Sequence, residues 1–290
     1  MSKAPYRKQV DCPPTLTDQD VIDFCRNGYL MLPGVVPDDI NHKVVDYLDH
    51  ADGTYEPTPI MEQPWFVDQV LMNTQAAGAV RSLLGQNFTL PILISNHRGP
   101  LPYAQSHGWH RDGGSIYTSE LEYLQVFYYP EECTIEMGPT ELLPGSHFMR
   151  TKAPLMSHMG SIKGAVSSSG PAGTIFLTVY SIWHRRSRAI SGPKGISKYR
   201  NLLKYNYWRT EPPTRDWVTD QAIDFSRIDF NPPGVQFEQF HGGIAAAEMF
   251  AWLSGLKGQY KKHGGQGWPI ANTVRDRTNQ FGVPGALENG

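Results

Sequence analysis

His110, Asp112 and His184 are the residues whose types and spacing best suit metal chemistry in this sequence. His110 and Asp112 lie two positions apart between two predicted strands, and side chains at that spacing in extended chain point the same way and can face one cation. His184 follows an apolar strand-like run over residues 173–180 and is the best candidate for a third ligand. Two imidazoles and one carboxylate leave three positions open on an octahedral ion, which is typical of non-haem Fe(II) oxygenases.

Arg200 is the candidate anchor for a chelating cosubstrate of such an iron. A 2-oxo acid that chelates the metal needs a cation for its distal carboxylate, and arginine offers a fixed fork of donors. Arg200 lies 16 residues after His184 and begins a predicted strand over residues 199–205. A hairpin between the two residues would place the guanidinium beside the metal.

The elements that must hold these residues are predicted to be short. The 28 Gly and 23 Pro are spread along all 290 residues, which predicts many turns and short strands. Helices are predicted after Thr17 as far as Gly28, from Pro37 onward, and over residues 66–84 and 244–256. Short apolar runs predict strands over residues 88–95, 123–129, 140–143, 173–180 and 202–208. This order favours an antiparallel sandwich or barrel with helical decoration.

Composition argues against several other classes of protein. The net charge is −2 and no basic run exceeds His184-Arg185-Arg186, so a nucleic-acid partner is not expected. No window approaches 18 consecutive apolar residues, so no membrane span is expected. Three widely spaced cysteines suggest neither a disulfide framework nor a zinc site. The polar N-terminus does not resemble a secretory signal, and we expect a cytoplasmic protein.

A set of motifs resembles the phytanoyl-CoA dioxygenase family over roughly residues 15–210. The motifs are Trp109-His110-Arg111-Asp112, Gly138-Pro139-Thr140, Leu143-Pro144-Gly145-Ser146-His147, Gly173-Thr174-Ile175-Phe176-Leu177, His184 and Arg200. The resemblance implies an all-β core with α decoration: a double-stranded β-helix (jelly roll, cupin-like) flanked by N-terminal and C-terminal helices. It further implies Fe(II), 2-oxoglutarate and O2, with succinate and CO2 as coproducts, and ascorbate as a candidate reductant. The iron ligands become His110, Asp112 and His184, and Arg200 becomes the 2-oxoglutarate anchor.

The sequence departs from the family pattern near the expected anchor. The interval from His184 to Arg200 is longer than the family's, so Arg188 competes for the anchoring role. A small hydroxyl residue often follows the distal histidine by two positions, where this chain has Arg186. Asn96 and Gln125 are further candidate cosubstrate contacts. Halogenating relatives replace the carboxylate ligand with a small residue, so Asp112 disfavours halogenation.

Other residues near the motifs have a functional and a structural interpretation. Candidate substrate contacts are His107, Trp109 and Tyr117. The structural alternative is that His107 is a solvated loop histidine and that Trp109 and Tyr117 are aromatic residues of the cavity wall or the core. His147 is expected to fix a turn by hydrogen bonding. The adjacent Ser146 suggests a hydrolase, but no Gly-x-Ser-x-Gly elbow is present.

The resulting hypothesis is one Fe(II)/2-oxoglutarate oxygenase domain over residues 1–290. Its parts are a helical region at about 15–87, a jelly-roll core at about 88–210 and a C-terminal extension at about 211–290. Hydroxylation of an unactivated C–H bond of a small-molecule metabolite is the expected reaction, and desaturation, cyclisation or epoxidation stay open. Segments 55–66 and 116–123 are expected to select the substrate. The alternatives are a non-catalytic jelly-roll protein that binds metal or ligand and a zinc-type hydrolase.

Overall fold

A computed structural model describes residues 8–50, 54–102, 106–149, 156–189, 199–220, 223, 228–230 and 239–256. The main helices are α1 (Asp18–Asn27), α2 (Asp38–His50), α3 (Thr74–Leu84) and α4 (Gln239–Leu253). Shorter helical turns cover Thr58–Glu62, Pro64–Phe66, Val67–Leu71, Asp112–Gly114 and Ser146–Phe148. The strands are β1 (Tyr29–Leu32), β2 (Ile94–Asn96), β3 (Gly99–Pro100), β4 (Tyr123–Tyr129), β5 (Thr140–Leu142), β6 (Val166–Ser167), β7 (Thr174–Thr178), β8 (His184–Arg186), β9 (Tyr199–Arg200) and β10 (Leu203–Trp208).

Helix α1 has the ends that its sequence predicts. The Thr17 hydroxyl accepts from the backbone N–H of Asp20, whose carboxylate accepts in return from the N–H of Thr17 at 2.9 Å. This reciprocal cap satisfies two backbone donors at the start of the helix. Gly28 ends the helix with φ +79°, a left-handed conformation that favours glycine, and β1 begins at the next residue.

The strands form two main antiparallel sheets and one short ribbon. The larger sheet has the order β1-β7-β4-β10-β2, the smaller one has the order β6-β5-β8, and β3 pairs with β9. Every named pairing is antiparallel. The predicted fold class, an all-β jelly-roll core with helical decoration, is confirmed.

The larger sheet separates two apolar regions. Leu203, Tyr205 and Tyr207 of β10 alternate with less buried residues and pack in the same cluster as the helices. Phe127 and Phe176 pack in the second cluster, with their rings stacked at a centroid distance of 4.6 Å. Because strand side chains alternate between faces, Lys204 points to the opposite side of β10 from its tyrosine neighbours.

Two predicted elements differ from the structure. The helix expected over residues 66–84 is interrupted, and the Asn73 side chain accepts from the N–H groups of Gln75 and Ala76 to cap a new helix. The strand expected over residues 88–95 is confined to β2, although Thr89 makes isolated bridges. Pro91 lacks the N–H that a continuous ladder needs at that point.

The segment after β10 returns to the first helix. The carboxylate of Asp18, fully buried at the start of α1, accepts hydrogen bonds from Arg215 at 2.9 and 2.8 Å and from Trp217 at 2.8 Å. The N–H of Asp220 donates to the same carboxylate at 2.6 Å. We call these contacts the Asp18 clamp. No helix within the described part of the chain is long and apolar enough to cross a membrane.

Candidate metal and oxo-acid site

Backbone pairing brings His110 and His184 face to face. The N–H of each residue donates to the carbonyl of the other at 3.0 Å, so the two form an isolated antiparallel bridge at the start of β8. Their ring centroids lie 4.5 Å apart. Asp112 follows His110 by two residues and begins a tight turn in which Gly113 has φ +58°. The turn bends the chain so that the carboxylate lies beside both rings.

Both imidazoles present the same nitrogen to the space between them. The Nδ1 atom of His110 lies 2.9 Å from the Gly108 carbonyl, and that of His184 lies 3.1 Å from the Ile182 carbonyl. A carbonyl accepts only from a protonated nitrogen, so these contacts place the proton on Nδ1 and leave the Nε2 lone pair available. Burial lowers the pKa of His184 to about 4, against the opposing charge of Asp112, and keeps this ring neutral near pH 7.

Asp112 is held by two donors on one oxygen. Gln125 donates from Nε2 at 2.6 Å and Lys204 from Nζ at 2.7 Å, both to Oδ2. Burial alone would raise the pKa of Asp112, but the charges of His184 and Lys204 and these hydrogen bonds lower it to about 2. Oδ1, at 3.9 Å from Nε2 of His110, keeps its lone pairs for a cation.

The three side chains fit a divalent transition metal. One ligand atom from each of His110, Asp112 and His184 lies within 4.8 Å of the others. The set offers two imidazole nitrogens with fixed tautomers and one ionised carboxylate, which suits Fe(II), with three positions left for other ligands. No other such group occurs among the described residues.

A cavity of about 240 Å³ opens beside these ligands. Its remaining lining residues are His97, Arg98, His107, Phe127, Thr140, Arg186, Arg200 and Leu202. Three of these eight carry a guanidinium group and none carries a carboxylate, so the cavity favours an anion. Arg98 donates to Asp49 at 2.7 Å, which offsets its charge.

Arg200 is the buried cation of this cavity. It lies in β9, with Gly99 of β3 as its ladder partner, and donates from Nη1 to the carbonyl of Gly138. Its Nε has no hydrogen-bond partner among the described atoms. The side chain is 3% exposed, whereas the competing Arg188 is exposed. The structure therefore places Arg200 where a bound anion would complete its hydrogen bonding.

The other two predicted cosubstrate contacts lie outside the cavity lining. Gln125 is fully buried and contacts Asp112, with its own carbonyl facing the Thr178 hydroxyl at 3.4 Å. Asn96 accepts from the N–H of Leu202 and donates to Asn201, so it ties β2 to the chain before β10.

The three candidate substrate contacts lie in different surroundings. His107 lines the cavity. Trp109 is buried, donates to the carbonyl of Gly160 and lies under the guanidinium of Arg185. The Tyr117 hydroxyl donates to the carbonyl of Ala245 in α4. Of the three, only His107 faces the space next to the triad.

Several site residues were missed by the sequence reasoning. His97, Phe127, Thr140 and Leu202 line the cavity, and Lys204 contacts the carboxylate of Asp112. A usable signal existed for Lys204, because it is a charged residue inside a strand whose alternate positions are Leu203, Tyr205 and Tyr207. His97 had no comparable signal.

His147 supports the chain that leads to His184. Its Nε2 lies 3.0 Å from the carbonyl of Cys25 in α1, and its own carbonyl accepts from the Ser181 hydroxyl. The neighbouring Ser146 hydroxyl accepts from the N–H of Trp183 at 2.9 Å. The ring is fully buried, so it joins α1, the Pro-Gly-Ser-His turn and the residues before β8.

Comparison with known proteins finds similarity at the level of the fold alone. No protein-family model and no curated protein matches the sequence. HygX from Streptomyces hygroscopicus, solved with nickel and 2-oxoglutarate bound, matches with a TM-score of 0.52 and 17% identity. That match covers 68% of this chain and 88% of HygX.

Two further solved structures match at a similar level. The non-heme alpha-ketoglutarate-dependent epimerase SnoN from nogalamycin biosynthesis has a TM-score of 0.51 and 12% identity, covering 66% of this chain and 82% of SnoN. The non-heme monooxygenase ThoJ, in complex with nickel, has a TM-score of 0.50 and 14% identity, covering 90% of this chain and all of ThoJ. The chain therefore shares the fold of these three proteins, while membership of the phytanoyl-CoA dioxygenase family stays a prediction.

Proposed function

We propose that this protein is an Fe(II)- and 2-oxoglutarate-dependent dioxygenase. In the proposed reaction it oxidises a C–H bond of a small-molecule metabolite, most simply by hydroxylation, and releases succinate and CO2. The observation that carries the proposal is the position of the His110, Asp112 and His184 ligand set next to a cavity that contains the buried Arg200. A metal site alone would fit many proteins, whereas an adjoining anion site fits a chelating oxo acid.

Each side chain has a separate task in this proposal. The Nε2 atoms of His110 and His184 and Oδ1 of Asp112 hold the metal, and the contacts on Nδ1 and Oδ2 fix their orientation. Arg200 binds the distal carboxylate of 2-oxoglutarate. When bound, Fe(II) supplies the redox chemistry that couples decarboxylation of the oxo acid by O2 to substrate oxidation.

The walls of the cavity serve a further purpose. Phe127 and Leu202 cover its apolar side, which excludes water from the oxo acid and strengthens the attraction of Arg200 for its carboxylate. The structural neighbours support the proposal, because HygX was solved with nickel, 2-oxoglutarate and hygromycin B together. A small organic molecule is accordingly the substrate class that we propose.

The test is reconstitution of the purified protein with Fe(II) under nitrogen, followed by 2-oxoglutarate, ascorbate and O2. We expect succinate to form only when iron, oxo acid and O2 are all present, even without the substrate, through uncoupled turnover. His110→Ala and Asp112→Ala should abolish this succinate. Absence of succinate from the iron-loaded protein would favour a jelly-roll binding protein without turnover.

Two further measurements test the class of reaction and the role of Arg200. Hydrolytic activity that survives under nitrogen without iron would support the zinc-type hydrolase and contradict the oxygenase. Arg200→Gln should raise the 2-oxoglutarate concentration needed for half-maximal succinate formation, with little change at saturation. An unchanged requirement would contradict the anchoring role of Arg200.

A further inference from the structure

Arg186 is a second arginine of the cosubstrate cavity, at the position where the family pattern has a small hydroxyl residue. It follows His184 by two residues in β8, so both side chains leave the strand on the same face, about 7 Å apart. Its ladder partner is Thr140, which also lines the cavity. The strand geometry therefore directs Arg186 toward the space that Arg200 enters from β9.

The guanidinium of Arg186 rests on the backbone of β3. A Cβ atom added at Gly99 would lie 2.7 Å from its Cζ and 2.8 Å from its Nη2, so the guanidinium occupies the space that a side chain at position 99 would need. Gly99 is also the ladder partner of Arg200. The two arginines thus meet the same short ribbon at the cavity wall. Arg186 and His107 both line the cavity.

Arg200 alone does not satisfy a carboxylate. An ionised carboxylate accepts at about four lone-pair sites, and Arg200 already donates from Nη1 to Gly138. A second guanidinium at the same wall supplies the additional charged donors. Two such cations favour a ligand that ends in a full negative charge over one that ends in a methyl group.

We propose that Arg186 is a specificity-determining residue that binds the distal carboxylate of the cosubstrate together with Arg200. It selects 2-oxo acids with a second carboxylate against those with an alkyl end. This inference rests on the proposed function and concerns the choice of cosubstrate at the same site.

The experiment is calorimetric titration of the nickel-loaded protein under nitrogen with 2-oxoglutarate and with 2-oxovalerate, its analogue without the second carboxylate. For Arg186→Gln we expect 2-oxoglutarate to bind about 10- to 100-fold more weakly, the range for one lost charge-assisted contact. Binding of 2-oxovalerate and of nickel itself should change by less than about threefold. Arg26→Gln, which removes an arginine of α1 paired with Asp23, is the matched control and should retain wild-type affinities.

Gly99→Ala provides a second variant that keeps the arginine. The added methyl group would displace the guanidinium from β3, and we expect an intermediate loss of 2-oxoglutarate affinity. Unchanged 2-oxoglutarate binding in Arg186→Gln, or equal losses for both acids, would overturn the inference and leave the proposed function intact. Failure of the nickel-loaded wild type to bind 2-oxoglutarate would overturn the proposed function and this inference with it.

Discussion

The buried ring of His147 makes the stability of the fold depend on pH. Its Nε2 donates to Cys25, which leaves Nδ1 without a partner among the described atoms and against the backbone of Gly28. Burial, helped by the positive charge of Arg111, lowers the pKa of His147 from 6.5 to about 3. A second proton would have to enter this closed space on Nδ1.

The sign and size of the effect follow from proton linkage. Below pH 6.5 His147 becomes protonated in the unfolded chain but stays neutral in the folded protein. Its contribution to the free energy of unfolding is therefore fully present above pH 6.5 and is lost as the pH falls toward 3. Each pH unit in this window changes the free energy of unfolding by about 1.4 kcal/mol. Lowering the pH from about 7.5 to about 4.5 should therefore remove about 2–3 kcal/mol through this residue alone.

The measurement is urea unfolding, followed by tryptophan fluorescence, of the wild type and His147→Gln at both pH values. Glutamine keeps an N–H donor for the Cys25 carbonyl but does not titrate. Near neutral pH the free energy of unfolding of His147→Gln should be about 1–3 kcal/mol lower than that of the wild type, because the substitution loses packing. His147→Gln should then lose about 2–3 kcal/mol less than the wild type on acidification. Parallel losses would refute a neutral, desolvated histidine at this position.

Three other substitutions test the contacts around the site and the first helix. Gly28→Ala should cost at least about 2 kcal/mol in urea unfolding, because φ +79° disfavours any side chain and the new Cβ would meet the buried histidine ring at 2.8 Å; wild-type stability would contradict this packing. Asp18→Asn should lower the free energy of unfolding by about 3–5 kcal/mol, since it removes the buried charge that Arg215 pairs with, and a loss below about 1 kcal/mol would show that the pair is dispensable. Lys204→Met should destabilise the metal-free protein by about 1–3 kcal/mol, because Asp112 loses a charged donor. Saturating Ni(II) should then raise its melting temperature more than that of the wild type, and an equal or smaller rise would contradict the pairing.

The features of the fold that the sequence predicted are mostly those that depend on neighbouring residues in the chain. The cap at Thr17 and the left-handed glycine at Gly28 are decided within a few residues, so the ends of α1 could be predicted. The break at Asn73 could not, because the apolar spacing continues on both sides and only the side-chain cap marks the new helix. The strand predicted over residues 88–95 is shorter in the structure, because Pro91 has no backbone N–H to donate to a neighbouring strand.

Part of the candidate site could be predicted from the sequence, because some of its residues are marked by their neighbours in the chain. The two-residue spacing of His110 and Asp112 and the strand before His184 indicate ligands without any knowledge of tertiary structure. Lys204 reaches Asp112 across 92 positions of sequence, through the pairing of β10 with β4. Such contacts depend on strand register, which one sequence does not specify.

The Asp18 clamp has a consequence for how the chain folds during synthesis. Its partners follow Asp18 by 197 to 202 residues, and β1 pairs with β7 about 150 residues later. At typical translation rates the first helix would wait roughly 10–40 s for Arg215 to be made. During that interval the Asp18 carboxylate lacks every donor of the Asp18 clamp. Helix α1 is therefore made well before Arg215, Trp217 and Asp220, the three residues that hold the carboxylate at its start.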